Sequence, residues 1–194
     1  MSLRNSIPML AAALLVLGAT RGAAQGPPDS AALLAAQRDA LKPLAFMDGV
    51  WRGPAWTILP SGVKHEVTQT ERIGPFLDGT VKVMEGRGYD ASGKVTFNAF
   101  GILSFDPSKQ LHTLHSYAKG MAGDFAFTPS DSGYVWEIPA GPTTIRYTAV
   151  IRAGKWREIG ERLVPGQPPA QFFEMNLVRV RATDWPAAGA VSMK

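Results

Sequence analysis

From about residue 50 onward, hydrophobic and polar positions alternate with a period of two. Turn chemistry interrupts that alternation at roughly 8–12-residue intervals. The strand-like runs are 50–59, 63–73, 80–89, 94–105, 110–118, 124–128, 134–139, 143–151, 156–163 and 170–180. Between them stand Pro60-Ser61-Gly62, the Gly74–Gly79 segment, Asp90 to Gly93, Asp106 to Lys109 and a Gly-containing loop from Lys119 to Gly123. These residue types supply the positive φ angles and side-chain-to-backbone hydrogen bonds that tight reversals need. No helix-length segment separates the runs, so a parallel sheet built from βαβ units is not expected. Short strands joined by tight turns predict a mainly β, antiparallel fold, an up-and-down barrel of about 8–10 strands.

One helix precedes this region. Asp29 or Ser30 can cap its first amides, Ala31 to Leu41 is rich in strong helix formers, and Pro43 ends it. Leu34, Leu41 and Ala45 are expected to share its apolar face.

The N-terminal 25 residues carry a different pattern. Arg4 precedes an apolar run from Ile7 to Leu17, and small residues follow up to Gln25. That is the layout of a secretory signal peptide, with a run shorter than a membrane span requires. The expected organisation is therefore 1–25 as signal, 26–180 as one β domain, and 181–194 as a flexible tail. A mature chain of about 170 residues can bury a real core. Export implies a periplasmic or secreted location. The chain has no cysteine, so stability must come from packing and the strand ladder, not from disulfides.

The formal charge of +4 is mild, and no run of lysine and arginine marks a nucleic-acid surface. No later apolar segment is long enough to span a membrane, which predicts a soluble mature domain.

The segment Leu44-Ala-Phe-Met-Asp-Gly49-Val-Trp51-Arg-Gly53 follows the helix and opens the first strand. A Gly-x-Trp in that position resembles the calycin superfamily, the lipocalin-like and nitrobindin-like barrels, and a group of exported bacterial proteins with the same opening. The resemblance implies structural roles for Gly49 and Trp51, with Trp51 plugging the closed end. It also implies an arginine from the last strand packed across the Trp51 ring. Arg179 shares a strand face with Phe173, Met175 and Leu177 and can fill that place. Nitrobindin-like proteins hold haem through a late histidine, whereas the last histidine here is His115; no haem or other cofactor is expected.

The chemistry-bearing residues are few. His112 and His115 are three apart, which on a strand sends them to opposite faces, and His65 lies on a different run. No metal site is expected from them. There is no Gly-x-Ser-x-Gly elbow, and Gly86-Arg87-Gly88 lacks the helix of a dinucleotide fingerprint. These glycines predict a bulge or a bent strand. Glu66, Glu71, Glu85, Glu161 and Glu174 fall within strand runs. If the Gly74–Gly79 loop is symmetric, Glu71 lies opposite Lys82 and Glu66 opposite Arg87. Each pair is then either an outer ion pair or an anchor for a ligand's polar end, because a one-residue slip exchanges the faces. Phe97, Phe105, Tyr117, Phe125, Phe127, Trp136, Tyr147 and Phe172 or Phe173 are the expected interior aromatics.

These observations lead to an exported protein that binds a small hydrophobic molecule inside the barrel. The expected ligand contacts are Glu71, Glu85, Arg87, His115, Tyr117, Trp136 and Tyr147, with no catalytic residue assigned. The alternatives are an acid–base enzyme, which needs an inward glutamate near His115, and an envelope interaction module with a solid core and an exposed apolar patch.

Overall fold

The computed structural model describes residues 29–186; the expected signal peptide and the last eight residues of the tail lie outside them. Asp29 caps α1 (Ser30–Leu41), accepting a hydrogen bond from the Ala31 amide at 3.0 Å. Pro43 then sits in the first turn of a 3-10 segment (Lys42–Met47). The buried residues of this region are Leu41, Leu44 and Met47, whereas Leu34 and Ala45 are exposed. Ala45 leaves the expected face because the 3-10 segment changes the period from 3.6 to about 3 beyond Leu41, whereas Leu34 stays exposed within α1 itself.

Ten strands follow: β1 (Gly49–Ile58), β2 (Lys64–Phe76), β3 (Val81–Tyr89), β4 (Val95–Asp106), β5 (Leu111–Ala118), β6 (Met121–Ser130), β7 (Gly133–Ala140), β8 (Thr143–Arg152), β9 (Lys155–Leu163) and β10 (Ala170–Arg181). Each pairs antiparallel with its chain neighbours, and β10 returns to β1 to close an up-and-down barrel. Closure removes the exposed edges an open sheet would leave.

Two loops are tighter than the sequence suggests. β2 runs on through Gly74, Pro75 and Phe76 before a short 3-10 turn, so Glu71 lies opposite Gly86 and Lys82 opposite Pro75. The expected pairings of Glu71 with Lys82 and of Glu66 with Arg87 are therefore corrected. Lys82 is buried and ion-paired with Asp48, and Glu66 pairs with Lys64 on its own strand. Likewise only Lys119 and Gly120 form the β5–β6 turn, and Met121 to Gly123 belong to β6.

The barrel has a closed end and an open one. α1 and the 3-10 segment lie over the closed end, where Trp51, Leu44, Met47, Ile73, Leu103 and Leu177 are fully buried. Trp51 Nε1 donates to the Met47 carbonyl at 2.9 Å, and its ring meets Trp156 edge-on at 5.6 Å. The Arg179 guanidinium lies 4.6 Å over the Trp51 ring and donates to the Phe46 carbonyl at 2.7 Å. The arginine keeps its head in solvent while its charge faces the ring's negative π surface.

At the open end the wall is incomplete. β6 and β7 pair only from Phe127–Trp136 to Ser130–Gly133, and nearer the mouth they part.

The beginning of the expected flexible tail is packed. Asp184 takes ion pairs from Arg72 at 2.6 Å and Arg181 at 2.8 Å. The Trp185 ring meets Phe76 edge-on at 5.8 Å, with the Arg72 guanidinium 4.6 Å over it. These contacts cover the outer wall of β2, where Gly74 leaves room for Thr183 and Trp185.

Candidate functional site

Strand pleat and register decide which candidates reach the interior. The closed-end floor of Trp51, Ile73 and Trp156 fixes the inward set. Along β2 it comprises His65, Val67, Gln69, Glu71 and Ile73; along β3, Lys82, Met84, Gly86 and Gly88. β7 contributes Tyr134 and Trp136, β8 Tyr147 and Ala149, β9 Trp156, Glu158 and Gly160, and β10 Phe173, Met175 and Leu177.

Glu71, Trp136 and Tyr147 therefore line the interior. Glu85, Arg87, His115 and Tyr117 do not. Glu85 lies opposite Arg72 and ion-pairs with Arg87 on the outer wall of β3. His115 is held there by Asp124 at 2.7 Å and Ser104 at 2.9 Å, and Tyr117 is half exposed. The four are corrected for one reason: the face chosen for each strand depends on register, which alternation alone leaves open. His112 faces inward beside Phe105, its Nε2 lying 3.3 Å from the Ala40 carbonyl oxygen, so it seats α1. Among the described residues no group of three metal-ligating side chains converges.

The interior centre is polar. Glu158, 5 % exposed, accepts from the Tyr134 hydroxyl at 2.6 Å and from Trp136 Nε1 at 3.3 Å. Gln69 Nε2 donates to Glu71 at 2.6 Å. Glu71 as a residue keeps some accessible surface, while its carboxyl lies deep in the interior. Burial pushes its carboxyl up to about 8, with the Gln69 hydrogen bond opposing and the negative charges of Glu158 and Glu85 adding to the rise. Burial also raises Glu158, against the donors around it. Trp156 Nε1, buried beside Glu158 and Tyr134, helps to hold the Glu158 carboxyl down but finds no acceptor at hydrogen-bond geometry. Among the described residues no lysine or arginine pairs with either carboxylate.

Glycine makes this arrangement possible. A Cβ on Gly86 would lie 2.7 Å from one Glu71 carboxylate oxygen and 3.0 Å from the other. Gly86→Ala is therefore expected to cost about 1–3 kcal/mol by overpacking. Denaturant unfolding of a double-mutant cycle with Glu71→Ala checks this: the alanine at position 86 should be near neutral once the Glu71 carboxylate is gone.

Above the carboxylates stands an aromatic wall. Trp136 and Tyr147 stack at 4.4 Å with their planes 8° apart, and Phe173 meets Tyr147 edge-on at 5.7 Å. A bulge between Gln171 and Phe173 also brings Phe172 to Tyr147, at 5.9 Å. Trp136, Tyr147, Phe173 and Phe125 all keep accessible surface. From the open end inward, the interior side chains thus order as an aromatic rim, a polar base and a sealed floor.

Glu158, Gln69, Tyr134 and Trp156 were not among the expected site residues. Counting by two from Trp156 places Glu158 and Gly160 on that tryptophan's face, and this was the available signal for Glu158.

No protein-family model matches the chain, and no curated protein matches it in sequence. Among solved structures it is similar to Rv2717c from M. tuberculosis, with a TM-score of 0.53 and 15% identity, over 73% of this chain and 98% of that one. At that identity the likeness concerns the barrel fold alone.

Proposed function

We propose that the chain is an exported binding protein that holds a small, largely apolar molecule in the barrel interior. The observation that carries this reading is the partial exposure of the inward Trp136, Tyr147 and Phe173 above a sealed floor. Trp136, Tyr147 and Phe173 would hold the apolar body, and the groups around Glu71 would hold its polar end. Membership of the calycin superfamily belongs to the same proposal, supported by the Trp51–Arg179 stack at the floor. Export is supported by the pattern of residues 1–25.

The acid–base alternative asked for an inward glutamate near His115. That histidine stands on the outer wall, bound to Ser104 and Asp124, so the pair it required does not form.

Nile red, a neutral dye that brightens in apolar surroundings, tests the reading. One saturable site per chain is expected, with energy transfer from tryptophan, and Ser116→Phe on the inner wall of β5 should weaken it about tenfold or more. A folded protein that takes up no dye, or takes it equally well with Ser116→Phe, would contradict the proposal.

A further inference from the structure

The polar base of the barrel interior is incomplete in two ways. The negative charge of Glu158 bears on Glu71, and among the described residues neither has a cationic partner: Lys82 is held by Asp48, and Arg179 by Trp51 and the Phe46 carbonyl. Beside them the buried Trp156 Nε1–H, although close to Glu158 and Tyr134, meets no acceptor at hydrogen-bond geometry. A buried carboxyl without a counter-charge is costly to ionise, and a buried donor without an acceptor is costly to keep. Directly above lie the faces and edges of Trp136, Tyr147 and Phe173, surfaces that favour a cation near them.

We infer that the barrel interior is built for an amphipathic amine, whose ammonium is held between Glu71 and Glu158 and whose neighbouring oxygen accepts the Trp156 Nε1–H. The apolar body of such an amine fills the aromatic rim. This deepens the binding reading and rests on it. The carboxylates supply charge-assisted acceptors, the aromatic rings screen the ammonium from water, and a neutral or anionic head leaves the carboxylates uncompensated. A carboxylate ligand is disfavoured outright, because it would bring a third acidic group to the same place.

Proton balance gives a second signature. Glu71 carries a proton at neutral pH in the free protein. The groups facing it are Glu158 on β9 and Tyr134 on β7, with Glu85 acting from the outer face of β3. An incoming ammonium stabilises the ionised form, so binding expels a proton to the buffer, and affinity rises from pH 6 toward pH 8.

Isothermal titration of the whole chain with octylamine, 2-amino-1-octanol and 1-octanol, each also run as a displacement of Nile red, tests the inference. The expected order is 2-amino-1-octanol tightest, then octylamine, with 1-octanol at least tenfold weaker than octylamine. Proton release should show as a dependence of the heat on buffer ionisation enthalpy. Glu71→Gln with Glu158→Gln, which keep the shape of the carboxyls, should abolish the preference for the amine while Nile red still binds. Equal binding of octylamine and 1-octanol, with Nile red displaced by both, would overturn the cation reading and leave the binding barrel standing. Failure of all three compounds and of the dye to bind would overturn both.

Discussion

Lowering the pH from 8 to 5 is expected to stabilise the ligand-free protein, the reverse of ordinary acid destabilisation. The reason is Glu71. Its carboxyl titrates near 4.5 when the chain is unfolded and is pushed up to about 8 by burial in the barrel. Between those two values the unfolded chain has released a proton that the folded chain keeps, so each step up in pH favours unfolding. The stability is fully present below about pH 4.5 and is lost as pH rises toward 8, with a limiting slope of about 1.4 kcal/mol per pH unit. The raised Glu158 acts in the same direction. Carboxyls held below their ordinary range, such as Asp106 at about 2 beside Ser108 and Lys109, carry the opposite sign. Their stabilisation is lost only below about pH 4, outside this window. Glu71→Gln cannot ionise and should flatten the profile between pH 5 and 8. Thermal melts of both proteins across that range check this, and parallel curves would show that Glu71 is not the group responsible.

The second large effect is expected at the floor. Trp51→Ala removes a side chain with no exposed surface, its hydrogen bond to the Met47 carbonyl, its edge contact with Trp156 and the surface on which Arg179 rests. Loss of a large buried aromatic costs about 3–5 kcal/mol, because a floor pinned by ten closed strands cannot collapse into the cavity. Trp51→Phe keeps much of the packing but orphans the Met47 carbonyl, and should cost about 1–3 kcal/mol. Urea unfolding at constant m value separates the two. Because Trp156 touches both the floor and Glu158, Trp51→Ala should also loosen the polar base, seen as weaker dye binding in the folded fraction.

The fold was legible because the local signals agree with one another. The helix cap at Asp29, the stop at Pro43, the ten period-two runs and the glycine-bearing turns each specify the element that forms. The Trp51–Arg179 stack could be anticipated because the calycin resemblance implies such an arginine, and Arg179 stands on the Phe173–Leu177 face where one is needed.

The site was legible only in part. Trp136 and Tyr147 face inward, as aromatics in a β-rich chain tend to, and Glu71 joins them. Glu85, Arg87, His115 and Tyr117 are chemically no less plausible, yet all stand outside. Their faces are fixed by long-range register, which here depends on β2 continuing through Pro75 and Phe76, and propensity does not record that. Glu158 escaped notice because Lys155, Arg157 and Glu161 surround it in a run that reads as a solvated face. Only the closed barrel turns that face inward, where Tyr134 and Trp136 meet it.

The most direct test of a ligand-holding interior is a crystal structure of the chain grown with saturating Nile red. The dye is expected inside the barrel, against Trp136, Tyr147 and Phe173 and above Glu71. Dye bound only on the outer wall, with the interior closed by its own side chains, would contradict that expectation.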